Sequence, residues 1–172
     1  MPGMTSLLIL GGARSGKSQR ALTLAEQMCE QRIFIATAEC LDEEMCSRIA
    51  RHKAERGVGW QTIEEPVLLT DALAMAANAD RVCVVDCLTL WLSNLMLHRH
   101  NVALETKKFC KALQNLTGSL VLVSNVVGMG IVPDTALGRE FRDEQGRLNQ
   151  AVASICDRVE LMVAGLPLSL KD

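Results

Sequence analysis

Gly11-Gly12-Ala13-Arg14-Ser15-Gly16-Lys17-Ser18 combines what is needed to hold a polyphosphate. It fits the pattern Gly, any four residues, Gly, Lys, Ser or Thr. The glycines let the backbone curl until successive N–H groups face phosphate oxygens. Lys17 adds a mobile cation for the outer phosphates, and Ser18 a hydroxyl for Mg2+. Arg14, inside the loop, is a second candidate cation.

Phosphate chemistry also needs a carboxylate near the metal, and such a group commonly closes a second apolar strand. Asp86 fits, at the end of Val82-Cys83-Val84-Val85, and is assigned to Mg2+ with Ser18; the plain alternative is a helix cap for Leu88 onward. A third group lies on a helix expected over residues 42–56. Met45, Ile49, His52 and Arg56 recur at intervals of four, three and four, and so share one face. Arg48 and Arg56 lie within a turn of His52, which suits a phosphate site. On spacing alone, a packed histidine is the commoner reading of His52 than a nucleophile.

The elements that must position these groups alternate. Ser6–Leu10 reads as a buried strand before the glycine loop, and Gln19–Glu30 as a helix after it, the context that a phosphate-binding loop requires. Further strands are expected at residues 32–37, 59–64, 81–86, 119–123 and 158–163, with helices at 67–78, 88–97, 103–116 and 135–157. Gly165-Leu166-Pro167 reads as turning the tail outward. Most strands are apolar throughout, which predicts an α/β fold: a mainly parallel sheet with helices on both faces. The expected organisation is a single domain, 1–172.

Composition narrows the function classes. At 49% hydrophobic and 22% charged residues, the chain is an ordinary globular one. A net charge of −2 gives no general attraction to nucleic acid, and three Phe, two Trp and no Tyr leave no stacking platform for single strands. There is no apolar run of membrane-spanning length, and Met1–Thr5 lacks the blocks of a signal peptide, so the expected compartment is the cytoplasm. The seven cysteines show no metal-ligand spacing and are expected to be small buried hydrophobes in a reducing environment.

Taken in order, several pieces resemble one family, the bifunctional adenosylcobinamide kinase/adenosylcobinamide-phosphate guanylyltransferases of cobalamin biosynthesis. They are the loop at 11–18, Ile35-Ala36-Thr37, Asp42-Glu43-Glu44-Met45, Arg48-Ile49, His52-Lys53, Arg56 and Trp60. Asp86-Cys87-Leu88-Thr89, Gly128-Met129-Gly130-Ile131-Val132-Pro133, Phe141-Arg142-Asp143, Gly146-Arg147-Leu148-Asn149-Gln150 and Ala164-Gly165-Leu166-Pro167 follow. The resemblance covers nearly the whole chain and implies a P-loop NTPase-like fold. It also implies two reactions: phosphorylation of adenosylcobinamide by a nucleoside triphosphate (ATP or GTP), then transfer of GMP from GTP onto the new phosphate. By this resemblance His52 carries GMP covalently and Lys17 serves catalysis. Nucleotide contacts then fall on Gly11 to Ser18, on Ala36, Thr37 and Ala38, on Lys53, Ala54, Glu55 and Arg56, and on Glu64 and Asp86. A homo-oligomer, in the first instance a trimer, is implied as well.

One departure stands out. The family pattern reads Asn-Glu-Val-Gly where this chain has Asn125-Val126-Val127-Gly128, so a carboxylate is replaced by Val126. A member retaining only the kinase is therefore an alternative. A P-loop regulatory module is another, although neither an Asn-Lys-x-Asp base-reading motif nor a Leu-Ser-Gly-Gly signature occurs.

Overall fold

The structure, a computed structural model, describes residues 6–172, with the side chains of Glu44, Arg48, Arg51, His52 and Glu55 outside the described set. The reading of Met1–Thr5 thus falls outside the described residues. In chain order the elements are β1 (Ser6–Gly11), α1 (Lys17–Met28), β2 (Arg32–Ala36), α2 (Glu43–Glu55), β3 (Trp60–Glu64), α3 (Leu69–Ala76) and β4 (Val82–Asp86). Then come α4 (Leu88–Leu97), α5 (Val102–Leu113), β5 (Ser119–Asn125), α6 (Ala136–Ile155), β6 (Arg158–Val163) and β7 (Leu166–Lys171).

Among the described residues, seven strands form one sheet in the order β3-β2-β4-β5-β1-β6-β7. Six are parallel, and β7 alone runs antiparallel, against β6. The period of two along each strand sorts the core onto two faces. Leu8, Ile35, Cys83, Val85 and Leu122 pack under α3, α4, α5 and α6, against Leu73, Trp91, Phe109 and Val152. Leu7, Ile9, Val84 and Val121 face the other way, against Ala21 and Ala25 of α1. This is why the central strands read as continuous apolar runs. The indole of Trp91 donates to the Val67 carbonyl at 2.8 Å, satisfying the one polar atom of a fully buried ring.

Helix starts follow their caps. Asp42 accepts from the Met45 N–H at 2.7 Å, Asn101 from Leu104 at 3.0 Å and Thr135 from Gly138 at 3.1 Å. Helix α3 is shorter than the expected 67–78, because the Glu65 carboxylate accepts from the N–H groups of Val67 and Leu68 and holds them in a turn. Across the sheet, the Arg20 guanidinium grips the buried Glu160 carboxylate through two bonds of 3.0 Å and ties α1 to β6.

Two expectations are corrected. The tail beyond Gly165 does not turn outward. Ala164 (φ 52°) and Gly165 (φ 81°) are the two left-handed residues of a tight hairpin, and β7 returns along β6. Pro167 is tolerated because β7 is an edge strand. Nor are all seven cysteines buried thiols. Cys40 and Cys46 are joined as a disulfide, with Cα atoms 4.8 Å apart, because the Asp42 cap folds the first turn of α2 back over the preceding loop. Cys83, Cys87 and Cys156 are buried as expected, while Cys29 and Cys110 are only partly so. Burial pushes the Cys83 thiol up to about 11 and those of Cys87 and Cys156 to about 12.

Candidate functional site

Strand register alone assembles much of the site. Gly11 lies opposite Asn125, Asp86 opposite Val123, and Ala36 opposite both Asp86 and Glu64. The carboxyl ends of β1, β2, β3, β4 and β5 therefore meet along one edge, where open α/β sheets bind their ligands. A cavity of about 1300 Å³ opens there.

The glycine loop forms one wall. A Cβ at Gly11 would lie 2.6 Å from the Ser15 hydroxyl and 2.7 Å from the Met162 carbonyl, so only glycine fits. Gly16 adopts φ 95° at the start of α1 and supplies no side-chain cap, which leaves the first N–H groups of that helix to an anion. Arg14 is also left-handed, at φ 54°, and its side chain is exposed. The loop is fastened on both flanks: the Val126 N–H donates to the Gly11 carbonyl at 3.0 Å, and the Gly165 N–H to the Ser15 carbonyl at 3.1 Å. The β6–β7 hairpin thus serves as the loop's second tether.

Lys17 is buried and donates to the Gly12 carbonyl, with Ser15 Oγ at 3.4 Å. Burial lowers its pKa, and the nearby charge of Asp86 acts in the opposite direction. Asp86 and Ser18 line the same cavity.

The far wall comes from α2 and β3. Met45, Ser47, Ile49 and Arg56 line the cavity from α2 and its end. Arg56 is buried, its guanidinium 3.9 Å from the centre of the Phe34 ring and its Nη2 3.3 Å from Thr62 Oγ1. Its Nε has no hydrogen-bond partner, and the guanidinium makes no ion pair among the described residues. Burial lowers its pKa, while Asp86 and Glu64 raise it. It is a desolvated cation facing a cavity, a fit for phosphate oxygens.

The other expected site residues divide. Ala13, Arg14, Ser15, Gly16, Ala36, Ala38 and Glu64 line the cavity. Thr37 does not: wholly buried, its hydroxyl donates to the Cys87 carbonyl at 2.7 Å and accepts from the Cys87 N–H at 2.9 Å, pinning β2 to β4. Gly11, buried at the end of β1, and Gly12, exposed in the loop, do not line the cavity either. Lys53 reaches the rim through a 3.1 Å ion pair with Glu64, and Ala54 is exposed. His52 and Glu55 lie within α2, and their side chains are outside the described set. Sequence reasoning missed Phe34, Thr62 and Asn125 as cavity residues. For Asn125 a signal existed: a polar side chain closing an apolar strand, as at Asp86.

Comparison with known proteins agrees with this geometry. The chain is 48% identical over 166 residues to the bifunctional adenosylcobalamin biosynthesis protein CobP of Pseudomonas aeruginosa, covering 95% of this chain and 96% of that one. It is 34% identical over 180 residues to the bifunctional adenosylcobalamin biosynthesis protein CobU of Escherichia coli, covering 96% and 99%. Among solved structures, the type III secretion ATPase EscN of enteropathogenic E. coli superposes with a TM-score of 0.57 at 11% identity, over 96% of this chain and 48% of that one. That likeness establishes the P-loop NTPase-like fold alone. Residues 7–170 match the model of one family, and the chain accordingly belongs to the cobinamide kinase/cobinamide phosphate guanyltransferase family.

Proposed function

We propose that this chain, acting as one nucleotide-binding domain, phosphorylates adenosylcobinamide with a nucleoside triphosphate. It then transfers GMP from GTP to the product, giving adenosylcobinamide-GDP. The observation that carries this reading is a shared cavity: the Gly11–Ser18 loop on one wall, and Arg56 and the α2 face of Met45 and Ile49 on the other. Position 52 falls on that same helical face by spacing. The volume of about 1300 Å³ exceeds the roughly 300–1,000 Å³ of an ordinary small-molecule site, leaving room for nucleotide and acceptor together.

In the kinase step the acceptor hydroxyl attacks the γ-phosphorus, loses its proton, and a nucleoside diphosphate leaves. Lys17 turns from its loop carbonyl to the outer phosphates, and the free N–H groups at the start of α1 hold phosphate oxygens. In the second reaction a neutral imidazole nitrogen of His52 attacks the α-phosphorus of GTP and pyrophosphate departs. A phosphate oxygen of the corrinoid product then displaces His52. One hard transfer becomes two easier ones. Arg56 offsets the charge that builds on the phosphates. Ala36, Ala38, Lys53, Ala54, Glu55 and Glu64 contact the nucleotide, with Glu64 accepting from guanine or ribose.

Mg2+ fits the donors. Ser18 and Asp86 offer a hydroxyl and a carboxylate to the same cavity, and no cluster of three His, Cys, Asp or Glu occurs among the described residues. Such a sparse set suits an ion that keeps water and phosphate oxygens as its other ligands. Bound there it would neutralise phosphate charge.

No helix among the described residues is long and apolar enough to cross a membrane. A cytoplasmic homo-oligomer, a trimer by resemblance, completes the reading. The exposed Met129, Ile131, Leu166 and Leu168 offer it apolar surface.

The test is incubation with Mg2+ and GTP labelled at the α-phosphate, then denaturation. Acid-labile, base-stable label on the wild type, absent from His52→Ala, is expected. Nucleotide binding without any label would remove the transferase half and leave the kinase-only reading.

A further inference from the structure

The parallel sheet carries a polar device that neither the loop nor α2 accounts for. Strand β5 lies between β1, which leads into the glycine loop, and β4, which ends in Asp86. A phosphate held between Lys17 and Asp86 therefore sits over the end of β5, where Asn125 stands opposite Gly11.

The backbone of Asn125 is held from two sides. Its N–H donates to Thr89 Oγ1 at 2.8 Å, and its carbonyl accepts from Asn149 Nδ2 at 3.0 Å. The next N–H, of Val126, is fixed to Gly11. Asn149 is itself oriented: its Oδ1 accepts from Ser124 Oγ at 2.6 Å and from Gln145 Nε2 at 3.0 Å. Ser124 and Gln145 are both buried, and Gln145 Oε1 has no hydrogen-bond partner among the described residues. A buried network with an orphaned acceptor destabilises a core that apolar side chains could fill. What it secures is the position of one residue. The carboxamide of Asn125 makes no hydrogen bond among the described residues, and Asn125 lines the cavity with Lys17, Ser18 and Asp86.

We propose that Asn125 is a catalytic residue that binds the terminal phosphate of the nucleoside triphosphate, with Asn149, Gln145 and Thr89 as its positioning residues. This rests on the kinase reading above. A carboxamide has the right chemistry, since its N–H donates to a γ-phosphate oxygen and its carbonyl can accept from the attacking hydroxyl. With Val126 apolar, Asn125 is the polar side chain that the end of β5 presents.

Two variants test it. Asn125→Asp keeps shape and both backbone bonds but loses the donor, and Asn125→Ala removes the side chain. Affinities for Mg·GDP and for a non-hydrolysable Mg·GTP analogue are measured by calorimetry, and γ-phosphate transfer to adenosylcobinamide by single-turnover kinetics. Both variants should bind GDP within about two-fold of wild type and lose about ten-fold of the preference for triphosphate over diphosphate. Transfer should slow about 100-fold. Asn149→Ala should lower kcat with KM unchanged, whereas a purely structural network would move only the melting temperature. An unaltered triphosphate preference in Asn125→Asp overturns the proposal. Should the wild type bind nucleotide yet transfer nothing to the corrinoid, the kinase reading falls, and the affinity ratio alone decides for or against Asn125.

Discussion

Replacing Arg56 by Met separates the two things a buried cation can do. Arg56 is 8% exposed, its guanidinium stacked on Phe34 and bonded to Thr62 at a long 3.3 Å. The stacking is worth about 0.5–2 kcal/mol, and the hydrogen bond about 1 kcal/mol or less. Against these stands a desolvation penalty of several kcal/mol, with Nε unpaired among the described residues and the charge of Asp86 acting in the opposite direction. Methionine of similar length removes the penalty and keeps the contact with Phe34. The ligand-free variant should therefore melt at the wild-type temperature or about 2–4 °C above it, for roughly 1 kcal/mol gained. Nucleotide binding should move the other way. Loss of one charge-assisted hydrogen bond, about 1.5–3 kcal/mol, weakens GTP by about 10- to 150-fold. Arginine stays protonated throughout the working range, so the ratio should hold from about pH 6 to 9. Thermal denaturation with and without GTP, together with calorimetry, reads both quantities. A ligand-free variant that melts 5 °C or more lower (about 1–2 kcal/mol lost), with GTP affinity intact, would refute the reasoning and make Arg56 a structural counter-charge.

Arg20→Ala leaves the buried Glu160 with only Arg158, at 3.3 Å, and should cost about 2 kcal/mol, or about 4–8 °C in melting temperature; a change under 2 °C, less than about 1 kcal/mol, would mean the pair is dispensable. Asp157 accepts from the Ser6 N–H and hydroxyl, both at 2.8 Å, and these bonds hold its carboxyl below the usual range. A depressed carboxylate stabilises above its unfolded pKa and loses that contribution as pH falls through the folded value, so Asp157→Asn should melt lower than wild type at pH 7, and the gap should close only as the pH falls below the ordinary carboxylate range. Unfolded without reductant, the chain should show five free thiols of its seven cysteines, and Cys46→Ser should cost about 2 kcal/mol by opening a short loop; seven reactive thiols would disprove the Cys40–Cys46 bond.

Local patterns carried further at some positions than at others. The central strands were legible because both faces are covered, so their apolar runs have no polar alternation to confuse with a helix. Asp42 was legible as a helix start because a cap is a short-range bond. The β6–β7 hairpin was not: Gly165 followed by Pro167 reads equally well as an exit, and only the free edge of β6 makes the returning strand favourable. Thr37 shows the converse limit. Its place in a family motif marked it for the nucleotide, yet its hydroxyl is used up between β2 and β4. Nor could spacing bring Cys40 to Cys46, since their approach depends on how the loop folds over the first turn of α2.

The cavity has two cationic poles, and that arrangement bears on how one site could serve two reactions. Lys17 and the start of α1 lie at the ends of β1, β4 and β5, where outer phosphates belong. Arg56 lies beyond β2 and β3, against Phe34 and Thr62, on the wall formed by α2. On the proposed reading, attack at the γ-phosphorus uses the first pole, and attack at the α-phosphorus from α2 the second. Asp86 is felt electrostatically at both, since its charge acts on Lys17 and on Arg56 alike. A change at β5 should therefore weigh first on γ-phosphate chemistry, and a change at β3 or α2 on guanylyl transfer. Val126, beside Asn125, belongs to the first pole. If its apolar side chain impairs an activity, the one impaired should be the kinase, while the His52 label survives. Restoring a carboxylate by Val126→Glu should then raise γ-phosphate transfer and leave α-phosphate labelling as it was.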